Sequence, residues 1–122
     1  MVTIDTKTCH FSQTKNGKNY EMTKGDFNGN YFLINKKPVG LCLFNIKNTR
    51  LTIINFIINP TEQKKGYARI FYEMLIDYAK NNYGCTEVYA IELTEDGNGF
   101  FNHMGLKKTD GKKYPDLRWG TI

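Results

Sequence analysis

The sequence lacks the features that define several large protein classes. It has only three cysteines in 122 residues, Cys9, Cys42 and Cys85. Their odd number and the lack of any C-x-x-C pair argue against a disulfide framework or a zinc site, and no metal is expected. Cys42 lies among apolar neighbours and reads as a buried thiol acting as a small hydrophobe. The longest apolar runs, such as residues 53–58, are broken by asparagine and are too short to cross a bilayer. The opening stretch MVTIDTKTCHF has neither the basic start nor the apolar segment of a signal peptide. These absences predict a soluble, cytoplasmic protein with no membrane partner. Neither a Walker G-x-x-x-x-G-K-[ST] loop nor a dinucleotide-binding G-x-G-x-x-G motif occurs. A dense basic run with interleaved aromatics is missing too. The formal charge of +5, from 17 basic and 12 acidic residues, is spread as lysine doublets at 36–37, 64–65, 107–108 and 112–113. That argues against nucleic acid as a partner and suits an anionic ligand or a solvated surface.

The length fits a single domain over residues 1–122. Hydrophobic and aromatic contents of 40% and 14% are those of a folded globule. The first half reads as strands separated by turn chemistry. Residues 3–13 are β-compatible, K-N-G-K at 15–18 is an Asn-Gly turn signal, and residues 20–22 pair back before G-D-F-N-G-N breaks the chain. Residues 31–35 and 39–46 flank the tight connection N-K-K-P. Residues 51–58, the most apolar run, are expected to form a central strand buried on both faces. The period then changes. From Tyr67, apolar Phe71, Met74, Leu75 and Tyr78 recur at three- and four-residue steps, predicting a helix closed by Gly84. Residues 87–93 return to strand character, 98–104 predict a short helix stopped by Gly105, and 106–108 and 116–122 supply closing strands. The fold class is α/β or α+β with a mixed sheet.

Between the apolar strand and the long helix stands N-P-T-E-Q-K-K-G-Y-A-R. A helix N-terminus leaves backbone N–H groups without partners and carries about half a positive charge, so a loop converging there makes an anion cradle. Gly66 admits phosphate oxygens close to the backbone, Ala68 keeps the next turn low, and Lys64, Lys65 and Arg69 add mobile positive charge. A phosphorylated ligand, best a pyrophosphate, suits the stretch. The same residues also read as an ordinary glycine turn solvated by lysines.

Gln63-Lys64-Lys65-Gly66-Tyr67-Ala68 resembles the [QR]-x-x-G-x-[GA] signature of the GNAT superfamily of acyl-CoA-dependent N-acetyltransferases. The wider string TEQKKGYA is similar to its histone acetyltransferase branch. Residues 99–106, Gly-Phe-Phe-Asn-His-Met-Gly-Leu, resemble the family's late helix and turn. The resemblance covers roughly residues 30–122. It implies a mixed, mostly antiparallel sheet with splayed central strands and transfer of acetyl from acetyl-CoA to a primary amine, by direct attack. It further implies that backbone groups of Phe56, Ile57 and Ile58 hold the pantetheine arm and thioester carbonyl. The amides from Lys64 to Arg69, Tyr67 included, would hold the pyrophosphate. An N–H aimed at the carbonyl oxygen stabilises the oxyanion that develops there.

The sequence departs from that family where protons move. A lysine amine is charged at pH 7, and freeing its lone pair costs about 4–5 kcal/mol. Histone-type relatives use a glutamate as base, and the matching residue is Thr52. Tyr89 matches a relay position on the strand after the long helix; an aromatic packing role is the plainer reading. Glu87 and Glu92 are further candidate bases, with strand alternation putting only Glu87 on the Tyr89 face. The late-helix tyrosine that serves as acid in many relatives is matched by Phe101, and His103 is expected to face solvent. The one or two helices that relatives carry after the first strand are reduced or absent, which leaves the acceptor cleft open, completed by the β-rich arm, or closed by a second subunit in a homodimer. Asp116, in the D-G-K-K-Y-P-D-L loop, is a candidate to attract a cationic amine. The acceptor is either a protein lysine or a small polyamine or metabolite. A non-catalytic acyl-CoA-binding or protein-interaction module is the alternative.

Overall fold

A computed structural model describes residues 6–91, 95–108 and 117–122. Glu92, Asp116 and the rest of the 110–116 loop lie outside the described residues. Eight strands form one sheet in the order β1-β2-β3-β4-β5-β6-β8-β7. Five come first: β1 (Phe11–Lys15), β2 (Lys18–Lys24), β3 (Asn30–Ile34), β4 (Lys37–Lys47) and β5 (Arg50–Ile58). They run as an antiparallel meander. Its turns follow from left-handed residues. Asn16 and Gly17 (φ 54° and 76°) close β1–β2, and Asn35 and Lys36 (φ 49° and 69°) close β3–β4, the pattern of two-residue hairpins. Residues 3–10 do not join β1: only Lys7 pairs, its N–H donating to the Phe44 carbonyl. Buried Asn30 then clasps the segment, its Oδ1 accepting from the Cys9 N–H and its Nδ2 donating to the Lys7 carbonyl.

Helix α1 (Tyr67–Tyr83) buries Phe71, Tyr72, Met74, Leu75 and Ala79 on one stripe. It ends at Gly84 (φ 64°), whose N–H reaches the Ala79 and Lys80 carbonyls, a left-handed cap that spares the last turn its orphan acceptors. Phe71 stacks on Phe32 at 4.4 Å, and Tyr78 on Phe11 at 5.0 Å. Each such aromatic contributes roughly 2–3 kcal/mol of burial. The chain continues through β6 (Glu87–Ala90), α2 (Glu95–His103), β7 (Lys107–Lys108) and β8 (Arg118–Thr121). Gly105 (φ 93°) ends the turn after α2. Phe101 of α2 packs edge-on against Tyr72 of α1 and Phe56 of β5, so both helices lie on one face of the sheet. No helix among the described residues covers the other face, and none is long and apolar enough to cross a membrane.

This layering corrects one expectation. β5 is central but not buried on both faces: Leu51, Ile53 and Ile58 are buried while Thr52 and Ile54 are partly open and Ile57 is 43% exposed. With α1 and α2 on the same side, the second face has nothing to pack against, and its apolar residues meet water.

Candidate functional site

β5 carries an irregularity that shapes everything downstream. Leu43 pairs with Asn55 and Phe44 with Ile53, so Ile54 is an extra residue without a partner in β4, a β-bulge. Before it, odd-numbered side chains face the helices; after it, Phe56 and Ile58 do.

On its other edge β5 pairs in parallel with β6, but only from Arg50 to Ile53. The last link is the Ile91 N–H donating to the Ile53 carbonyl at 3.0 Å. Residues 54–58 of β5 run on with no strand beside them among the described residues, about 17 Å of open edge. The Asn59 N–H turns toward β4, donating to Val39 at 2.8 Å. By strand alternation Ile57 points its N–H and C=O the same way, so those of Phe56 and Ile58 face the gap.

The gap opens into a cleft of about 580 Å³ lined by Phe56, Ile57, Ile58, Gln63, Lys64, Ala68, Gly97, Phe100 and Phe101. Its floor is an aromatic cluster. Phe56 stacks on Phe100 at 5.7 Å and meets Phe32 and Tyr72. Burial pushes the Tyr72 phenol up to about 12, so it stays protonated. Phe100 and Gly97 belong to the lining although sequence reasoning gave them no role; the aromatic pair at 100–101 was the available signal.

At the mouth, a short 3-10 turn at Pro60–Glu62 leads into the cradle. Gln63 Nε2 donates to the Ile58 carbonyl at 2.9 Å, tying the loop to the strand end. Lys64 (φ 66°) and Gly66 (φ 81°) are left-handed on either side of Lys65, an alternation that turns successive N–H groups to one side. None of the amides from Lys64 to Arg69 donates to a backbone or side-chain acceptor among the described residues; the first such bond is Ile70 N–H to the Gly66 carbonyl, at 3.4 Å. A Cβ built on Gly66 meets nothing within 4 Å. The space above it is therefore free for a ligand.

The charges around the cradle are partly spoken for. Glu62 accepts from Lys65 at 3.0 Å and from Lys37 at 3.2 Å. These bonds, Lys65 first, hold its carboxyl below the usual carboxylate range. Arg69 pairs with Glu73 at 3.1 Å. Lys64 carries no ion pair and lines the cleft. Tyr67 turns its ring outward, edge-on to Tyr20 and under Lys18, so it offers the cradle only its amide.

Tyr89 stands on the bare face, opposite Thr52 of β5 and Trp119 of β8. The Arg50 guanidinium lies 4.1 Å from its ring centroid and bonds Glu87 at 2.9 Å. Glu87 does share the Tyr89 face, as a salt-bridged carboxylate. A polar hollow of about 410 Å³, bounded by Asn45, Lys47, Arg50, Thr52 and Glu87 among others, lies beside it. Phe101 is buried and His103 exposed.

Removing the Gln63 amide is expected to loosen the cradle without opening the core. Gln63→Ala forfeits one hydrogen bond, net about 1 kcal/mol, and acetyl-CoA affinity by calorimetry should fall about fivefold. An unaltered affinity would show that the bond to Ile58 does not set the loop.

The profile of the acetyltransferase (GNAT) family matches residues 4–105. A comparison with curated proteins finds no match. Among solved structures, the chain is similar to the PaiA N-acetyltransferase of Thermoplasma acidophilum in complex with coenzyme A, with 12% identity and a TM-score of 0.67. The alignment covers 77% of this chain and 60% of that one. It is similar to Tetrahymena GCN5 at 14% identity and TM-score 0.65, over 80% of this chain and 70% of that one. The ribosomal-protein-S18-alanine N-acetyltransferase of Escherichia coli gives 14% and 0.61, over 77% and 68%. The chain thus spans less than two thirds of the first of these relatives, and at such identities the likeness is one of fold. Together with the profile match over most of the sequence, it shows that this chain belongs to the GNAT acetyltransferase family.

Proposed function

We propose that the chain binds acetyl-CoA in the cleft beside β5 and transfers the acetyl group to a primary amine. One observation carries this reading: a run of unpaired amides, 64–69, opens onto a cleft walled by the unpaired edge of a strand. The two parts suit the two ends of one molecule, a diphosphate and an extended amide-bearing arm. The cradle amides and Lys64 bind the diphosphate. Phe56 offers an N–H and a C=O to the arm, and the Ile58 N–H adds a donor. The Phe56, Phe100 and Phe101 rings exclude water from the thioester. The amine nitrogen attacks the thioester carbon, the C–N bond forms as the C–S bond breaks, and the thiolate leaves. Tyr89 is positioned on the bare face to pass the amine proton to solvent, with the Arg50 guanidinium restraining its ring. Thr52 supplies no carboxylate there.

Release of free CoA thiol, followed with lysine peptides, polyamines and aminoglycosides as acceptors, tests the reading. Thiol release with at least one is expected; silence with all counts against an enzyme. For Tyr89→Phe, kcat should fall tenfold or more with acetyl-CoA affinity unchanged. An unaltered pH–rate profile would remove Tyr89 from the mechanism. A second reading, a non-catalytic acyl-CoA-binding module, is favoured by Thr52 and by the burial of Phe101 where relatives carry an acid. Tight acetyl-CoA binding with no thiol release distinguishes it.

A further inference from the structure

Phe27 is 97% exposed. Its backbone is left-handed (φ 56°, ψ 35°), and Asn28 beside it is left-handed too (φ 57°). Asparagine tolerates that region; a bulky residue enters it only under constraint. The constraint is visible. The Gly25 N–H donates to the Gly29 carbonyl at 2.9 Å, and the Gly29 N–H to the Asp26 carbonyl at 3.0 Å. The Tyr31 hydroxyl donates to the Asp26 carboxylate at 2.7 Å, and the Thr6 hydroxyl to the Asn28 carbonyl at 2.8 Å. The loop is thus clasped from four sides while its apolar ring is held out in water. Both features oppose stability, and rigid strain with an exposed aromatic marks a group kept for contact with something else.

Its place in the fold says with what. A Cβ on Gly29 would lie 3.6 Å from Leu43, and one on Gly25 would press on the Tyr31 ring. Tyr31 and Leu43 both alternate away from the helix-facing Phe32 and Phe44. The loop therefore overhangs the bare face. Leu43 pairs with Asn55, the residue after the bulge, so the loop lies one strand, about 5 Å, from where β5 and β6 diverge. This argument rests on the function proposed above. If the donor enters on the helix side of the gap, an amine reaches the thioester from the bare face, past Phe27.

We propose that Phe27 is a docking anchor for a polypeptide acceptor, and that the amine acetylated is carried on a protein. A small amine is held by concave walls. A ring that projects convexly is covered only by a surface with a recess of its own, which a protein supplies, and aromatics of this kind dominate the energetics of such contacts. Phe27 acts on acceptor capture and touches no reacting atom.

The test compares wild type with Phe27→Ala and Phe27→Gly. Labelled acetyl-CoA is the donor. The acceptors are either the protein fraction of a cell lysate freed of small molecules or spermidine. Wild type is expected to label protein, and Phe27→Ala to lower that rate tenfold or more. Acetyl-CoA affinity and any spermidine rate should change less than twofold. Melting temperature should hold for Phe27→Ala and rise for Phe27→Gly, where left-handed strain is relieved. Equal protein labelling by the variants overturns the proposal. So does label that goes only to spermidine, or to nothing while acetyl-CoA binds. A dimer that becomes a monomer in Phe27→Ala also overturns it, in favour of self-association through this patch. Failure of wild type to bind acetyl-CoA sinks the proposed function itself.

Discussion

Gly66→Glu is expected to abolish acetyl-CoA binding in a protein that still folds. Gly66 caps α1 at φ 81°, and a side chain there costs on the order of 1 kcal/mol of backbone strain. Nothing lies within 4 Å of its would-be Cβ, so the fold has no clash to resolve. The cost falls on the ligand. The new side chain fills the space over amides 64–69, and its carboxylate opposes the phosphates in a site whose free cation is Lys64. A loss of a hundredfold or more, about 3 kcal/mol, is expected by calorimetry, with the far-ultraviolet spectrum retained. Gly66→Ala, which adds strain and a methyl without charge, should fall between. Undiminished affinity in folded Gly66→Glu would show that the ligand binds elsewhere.

The second large effect is expected at Gly40, and it is one of folding. Gly40 lies opposite Ile58 in the β4–β5 ladder. A methyl there would run into the Ile57 carbonyl oxygen and come within 3.1 Å of the Ile58 Cα. Both neighbours are backbone, so relief requires moving the strand end that walls the cleft. Gly40→Ala should cost about 3 kcal/mol, a fall in melting temperature on the order of 10 °C. The acetyl-CoA affinity of whatever remains folded should drop as well. Retained stability would mean that the two strands separate more easily than their pairing implies. The same substitution at Gly120, whose nearest neighbour is the flexible Leu106 side chain at 3.6 Å, should be far milder.

Much of this was legible before any coordinates. Helix α1 and its Gly84 cap follow from the spacing of Phe71, Met74, Leu75 and Tyr78, because burial on one stripe needs that period. The Asn16–Gly17 turn announces itself by composition. The cradle was legible from Gln63 to Arg69 because its chemistry is written in the backbone and in one glycine. Other features could not be read this way. The bulge at Ile54 has no residue signature, since any side chain can occupy it, and it depends on pairing with β4. The one-sided burial of β5 depends on where α2 docks, which its own sequence does not state. The Arg50 stack on Tyr89 joins residues nearly forty positions apart. Lys65 and Arg69 looked like free cations because their partners, Glu62 and Glu73, count as neighbours only once the turn and helix form. Phe27 read as a break in the chain, and only its exposure and left-handed backbone give it a role.

The unpaired residue at Ile54 has a consequence for how this chain tolerates change. Side-chain direction along a strand is a parity, in or out, and a substitution cannot alter it. Replacing Phe56 or Ile58 with another apolar residue adjusts volume while the layout persists. Loss of a single codon anywhere in 54–56 would instead send every later side chain of β5 to the opposite surface, putting rings into water and leaving the floor beneath Phe100 empty. The region is thus forgiving of what each residue is and intolerant of how many there are.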